Sequence, residues 1–169
     1  MFITAGQRTG KSELISRALT LVPPDSRQAG RLLLHDGFVT NQEEGNDVGA
    51  QEAFGRALSI ARNQGDAALE METLTNSFIV DLLQWRWREG LENGLRAIEL
   101  TEVARNPLAE SQARMSAPGA YSAMGNLQGA QTHGAACLAL AESLRGRNWL
   151  TFSLWISESI ARLGGDWQA

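Results

Sequence analysis

Eight residues near the N-terminus, Ala5-Gly6-Gln7-Arg8-Thr9-Gly10-Lys11-Ser12, have the types and spacing of a loop that cradles phosphate, with alanine in first place. In such a loop backbone N–H groups meet the β-phosphate, the lysine reaches the β- and γ-phosphates, and the serine hydroxyl sits on Mg²⁺. The chemistry needs a strand before the loop, a parallel sheet around it, and a later apolar run that delivers an acidic metal ligand. Only five residues precede Gly6, and no such run follows. Nucleotide binding through Ala5 to Ser12 is therefore the alternative reading, and adventitious sulfate or phosphate at Gly10-Lys11-Ser12 its weaker form.

The other reactive side chains are scattered. One cysteine, Cys137, and two histidines, His35 and His133, cannot assemble a zinc set or a disulfide framework. His35, beside Asp36 on an expected helix, reads as a surface hydrogen-bonding residue able to face a groove, and His133 as a packing or exposed residue. The acidic pairs Glu43-Glu44 and Glu70 with Glu72 have no nucleophile or metal ligand placed to work with them, so they read as solvated faces. No catalytic residue, metal or cofactor is expected, and the chain is not expected to be an enzyme.

Composition narrows the class. Hydrophobic residues make up 43% and charged residues 20%, which suits a globular chain of 169 residues. A net charge of −4, from 15 basic and 19 acidic side chains, leaves no footprint for nucleic acid. All basic residues but Lys11 are arginine, which reads as codon or habitat bias. The lone cysteine suits a reducing, cytoplasmic setting. No basic leader and no 18-residue apolar run point to a membrane.

These residues need elements to hold them, and the elements announce themselves by recurrence. Arg17-Ala18-Leu19-Thr20-Leu21, Arg56-Ala57-Leu58-Ser59-Ile60, Arg96-Ala97-Ile98-Glu99-Leu100 and Ala136-Cys137-Leu138-Ala139-Leu140 share one pattern, with their small residues 39, 40 and 40 positions apart. Gly6, Gly45 and Gly125 each stand twelve residues before Ala18, Ala57 and Cys137, and Trp85 takes that slot in the third copy. A glycine there permits the positive φ that ends a helix. Between landmarks the apolar step is helical, as in Met71, Leu74, Phe78, Leu82 and Trp85. Breaks at Pro23-Pro24-Asp25-Ser26, Asn63-Gln64-Gly65-Asp66, Arg105-Asn106-Pro107 and Gly146-Arg147-Asn148 divide each copy into two helices. The expected helices are 9–21, 27–42, 47–63, 67–85, 88–104, 108–124, 127–145 and 149–163. Pro118 should kink the sixth, and the rings of Trp85-Arg86-Trp87-Arg88 should cover a junction rather than offer cation–π contacts to a peptide.

Tyr121, the turn Gly125-Asn126, the small Ala130 and the closing Cys137-Leu138 resemble the tetratricopeptide consensus, and Gly45-Asn46-Asp47, Ala50, Phe54 and Ala57 fit it in the second copy. The third copy departs, with Trp85 at the turn and Gly90 and Gly94 at packing positions. The resemblance spans residues 6 to 163, with a unit longer than the 34 residues usual for the family. The longer unit and the run 82–100 look like the helical sensor regions of large bacterial ATPase and adenylate-cyclase-type signalling proteins.

The resemblance implies an all-α fold, a right-handed α-solenoid of antiparallel helix pairs, with about 3.5 repeats over a single domain 1–169. The units are 1–25, 26–66, 67–107 and 108–148, with a terminal helix 149–163. Phe2 falls where Tyr121 falls in the fourth copy, and 149–163 reads as a first helix without a second, so the chain reads as a fragment of a larger protein or a homodimer through exposed terminal helices. Trp149, Phe152, Trp155 and Trp167 are the aromatics expected to be exposed.

The family binds a peptide, helix or partner domain in a groove lined by the first helices. By phase this groove would carry Leu32, His35, Val39, Thr75, Ile79, Leu82, Gln112, Met115, Ser122, Phe152 and Trp155. Having no lysine, it does not match the two-carboxylate clamp of some family members and better suits a hydrophobic partner segment or another part of the same protein. Pure scaffolding through open repeat ends is a third reading.

Overall fold

The computed structural model describes residues 10–144 and 147–165, without the side chains of Glu44, Leu108, Leu144, Arg147, Asn148, Trp149 and Phe152. The helices among the described residues are α1 (Lys11–Leu19), α2 (Arg27–Glu44), α3 (Asp47–Gln64), α4 (Ala67–Leu83), α5 (Trp87–Glu99), α6 (Thr101–Ala104), α7 (Pro107–Ala123), α8 (Leu127–Leu144) and α9 (Arg147–Leu163). No strand occurs among the described residues. The expected helices recur within a few residues of their bounds, except that 88–104 is divided at Leu100, where ψ flattens to −5° and the Thr101 hydroxyl bonds back to the Ile98 carbonyl. Helix α7 runs on through Pro118, whose ring is wholly buried.

After α1, which closes through a right-handed Thr20, the described helix ends other than the α5–α6 break fall at left-handed residues spaced twenty apart. Gly45 (φ 62°), Gly65 (φ 64°), Trp85 (φ 62°), Arg105 (φ 48°), Gly125 (φ 75°) and Gly165 (φ 89°) form the series, and Arg145, which would complete it, lies outside the described residues. After three of them an N–H reaches back six residues inclusive to close the preceding helix: Asp66 to the Ala61 carbonyl, Arg86 to Asp81 and Asn126 to Tyr121, each at 2.9 Å. The same residue often opens the next helix. Side chains of Ser26, Asn46, Asp66, Asn106 and Asn126 each accept from the N–H three residues on, at 2.9 to 3.2 Å. Each such cap stabilises by about 1 kcal/mol. Arg86, like Gly10 and Leu100, carries no side-chain cap.

A turn this short lays each helix back along its predecessor. Within hairpins α2 packs on α3, α4 on α5 and α7 on α8; between them α3 meets α4, α5 meets α7 and α8 meets α9. Helices α2 and α4, α4 and α7, and α7 and α9 also touch. The core is accordingly a chain of clusters between neighbours. Leu33, Leu34, Ile60 and Leu69 join the first hairpin to α4, Met71, Leu74, Ala97 and Ala113 join α4 and α5 to α7, and Ala130, Ile156 and Ile160 join α8 to α9. Each large side chain buried this way contributes roughly 1.5–3 kcal/mol.

Large and small residues are matched across each hairpin, with the roles exchanged between the first two. Phe54 of α3 lies over Gly37 of α2, where a Cβ would stand 2.7 Å from the ring. In the next hairpin Gly94 of α5 occupies the place of Phe54, and the ring comes from Phe78 of α4. A side chain at Gly94 would collide with that ring.

The junction 84–88 departs from the expectation that both rings would cover it. Trp85 is 77% exposed, set edge-on to the half-buried Trp87 at 5.4 Å and 79°. The left-handed backbone at Trp85 turns its side chain outward, while Arg86 turns inward to Asp81.

Arg105 is exposed and left-handed, a conformation that costs an L-residue about 1–2 kcal/mol and glycine almost nothing. Arg105→Gly should raise the unfolding free energy in urea by about 1 kcal/mol, and an unchanged or lowered midpoint would show that the backbone there carries no strain.

Candidate functional site

Helix α4 touches both α2 and α7, and the three helices leave a cleft of about 420 Å³. Leu34, His35 and Phe38 enter from α2, Glu72 and Asn76 from α4, Ala109 and Gln112 from α7, and Asn106 from the turn before α7. Glu72 and Asn76 stand one turn apart on the face of α4 opposite its buried stripe of Met71, Leu74 and Phe78. The polar groups are already bonded among themselves. Asn106 donates through Nδ2 to Glu72 Oε1 at 2.7 Å while its own Oδ1 caps α7, and Asn76 donates through Nδ2 to the Glu72 carbonyl at 2.8 Å.

Of the residues expected in a groove, His35 and Gln112 meet in this cleft, and His35 is exposed. Leu32, Val39, Ile79 and Ser122 are half-buried outside its lining, and Leu82 packs on the Phe78 cluster. Thr75 does not reach the surface: it is wholly buried, its hydroxyl donating to the Met71 carbonyl at 2.9 Å. Met115 packs against Ala130, Ile156 and Ile160, Trp155 is 58% exposed on α9, and the Phe152 side chain lies outside the described residues.

Glu72, Asn76, Asn106 and Phe38 were missed. The signal for the first two was present, since polar residues four apart on a largely apolar helix mark its outer face; reading α4 one residue out of phase selected Thr75 instead. Glu70 and Glu72 are also not the solvated face expected of them. Glu70 pairs with Arg62 at 3.0 Å, and Glu72 looks into the cleft.

No protein-family model matches this chain, and a search of curated proteins finds no match.

The segment Ala5 to Thr9 of the phosphate-loop pattern lies outside the described residues. Gly10 caps α1 with φ 109°, Lys11 is exposed, and Ser12 enters a separate polar cleft of about 320 Å³ shared with Asp36, Glu52 and Arg56. Two carboxylates against one arginine leave this cleft with no surplus positive charge for an anion. Among the described residues no three His, Cys, Asp or Glu side chains converge on a point, and no helix is long and apolar enough to cross a membrane.

A buried network lies behind the cleft. Asp81, 3% exposed, receives Arg86 Nε at 2.9 Å and Gln51 Nε2 at 2.9 Å on Oδ1, and Asn93 Nδ2 at 3.2 Å on Oδ2. Arg86 Nη2 also approaches Oδ1 at 2.8 Å, as an ion pair that lacks hydrogen-bond alignment. These side chains tie α3, α4 and α5 together at the one hairpin turn without a glycine. Burial pushes the Asp81 carboxyl above its ordinary value, against the pull of Arg86.

Two further groups are quiet for physical reasons. His133 stacks on Tyr121 at 5.0 Å, and burial, then the Arg114 guanidinium, lowers its pKa, so the neutral imidazole is favoured. Cys137 is buried with Sγ 3.2 Å from Ser153 Oγ, and burial pushes its thiol up, away from the reactive thiolate.

Because Asp81 binds its proton more tightly folded than unfolded, its ionisation takes stability away as pH rises from the unfolded carboxylate range, about 4, through the raised folded value. Wild type should therefore gain on Asp81→Asn as pH falls from neutrality toward about 4 in paired urea titrations. A gap that stays constant across that window would refute the assignment.

Proposed function

We propose that this chain is a non-catalytic binding module, an α-solenoid of tetratricopeptide-like helix pairs that holds an extended peptide or a partner helix in the cleft between α2, α4 and α7. Three features support the solenoid: the twenty-residue recurrence of left-handed turns, the side-chain caps that follow them, and the packing of α2 on α4, α4 on α7 and α7 on α9. A right-handed course, with α2, α4, α7 and α9 inside, is the one the family resemblance implies.

The observation that carries the functional reading is the cleft itself. It is about 420 Å³, has apolar walls at Leu34 and Phe38, and carries amides and one carboxylate at its centre. That is the mixture by which a groove takes both the backbone and the side chains of a peptide. The resemblance to sensor regions of bacterial signalling proteins fits a cytoplasmic partner within such an assembly. Peptides selected by display on the protein should lose at least about tenfold in affinity to Asn76→Arg, which fills the cleft from a half-exposed position. Selection of no peptide, or of peptides indifferent to the substitution, would defeat the proposal.

A second reading, self-assembly, draws on α9, where Leu154 is 51%, Trp155 58% and Leu163 59% exposed. Light scattering should then report a mass that rises with concentration and returns to the monomer in Trp155→Arg. A mass independent of concentration would end this reading.

A further inference from the structure

The formal charge at the centre of the cleft has one sign. Asn106 is used on both sides, its nitrogen on Glu72 Oε1 and its oxygen on the Ala109 N–H. Asn76 donates its nitrogen to the backbone of its own helix, which leaves Oδ1. Among the described residues the Glu72 carboxylate is bonded only through Oε1, which leaves Oε2. Both oxygens are acceptors, and although the second amide hydrogens of Asn76 and Asn106 and the Gln112 amide add neutral donors, Glu72 is the only formally charged side chain in the lining. No arginine or lysine answers it there, although arginines elsewhere hold Asp66, Glu70, Asp81 and Glu110. The ring of Phe38 lines the same space, a second surface attractive to a cation.

We propose that the cleft between α2, α4 and α7 takes a cationic side chain, an arginine or lysine of the partner's extended segment, on Glu72 Oε2 and Asn76 Oδ1. The proposal rests on the peptide-groove reading above and names the chemistry of what that groove selects. The carboxylate is held in place before the partner arrives, because its other oxygen is fixed by the residue that caps α7. A held carboxylate loses little freedom on binding and discriminates by charge more sharply than a mobile surface glutamate does. A volume of about 420 Å³ admits such a side chain with its flanking backbone.

The test uses the full chain and an array of short peptides of varied sequence, each made in versions with Arg, Lys, Gln or Glu at one central position. The wild type should hold the Arg or Lys version about tenfold more tightly than the Gln version, the weight of a hydrogen bond to a charged group. Glu72→Gln, which keeps the shape and the Asn106 contact, should reduce that preference to less than about twofold. Asn76→Asp, which adds a second carboxylate, should increase it, and this gain decides the matter should circular dichroism show Glu72→Gln unfolded. Retention without a preference for the cation, or a preference that survives Glu72→Gln, overturns this inference and leaves the groove standing. Retention of no peptide by the wild type overturns the groove and this inference with it.

Discussion

A helix leaves its last carbonyls and first N–H groups without partners, and at four turns among the described residues this fold answers that need with one left-handed residue and a capping side chain. Where Gly45, Gly65 and Gly125 supply the first and Asn46, Asp66 and Asn126 the second, one turn closes one helix and opens the next. Everything else follows from the brevity of that turn. It forces neighbours to lie side by side, so that the apolar face of each helix is shielded by the next and the core becomes a chain of local clusters instead of one central mass.

Where the turn chemistry is absent, the chain compensates with side chains. At the junction of α4 and α5 a tryptophan stands in the left-handed position and Arg86 caps nothing. That hairpin instead holds the buried Asp81 with its partners Gln51, Arg86 and Asn93, which together bridge α3, α4 and α5. A buried ion pair is a costly fastening, since desolvation offsets much of its attraction. Phe78 seated against Gly94 shows that this hairpin also has its own solution to packing.

How much of this was legible beforehand depended on whether the signal was local. The turn glycines, the asparagines after them and the 3.6-residue apolar stripe are read along the chain, and the helices came out within a few residues. The phase of α4 was harder, because Met71, Thr73, Leu74, Thr75, Ser77 and Phe78 are all buried and its apolar stripe is too broad to show which edge faces out. Glu72 could not be told from a solvated glutamate, since its partner Asn106 is 34 residues away and already has a local task as a cap. The inward course of Arg86 was hidden for the same reason: its merit appears only when Asp81 is buried.

The twenty-residue spacing of the joints has a consequence for how such a chain can change. The stretch from Asp66 to Arg105 begins with a cap and ends with a left-handed residue, as does the stretch from Asn46 to Gly65, half its length. Pieces bounded in this way carry matching ends, so recombination can add or remove a helix pair and rejoin the backbone without inventing a loop. The clefts between helices then vary in number and lining while the hinges of the scaffold stay the same.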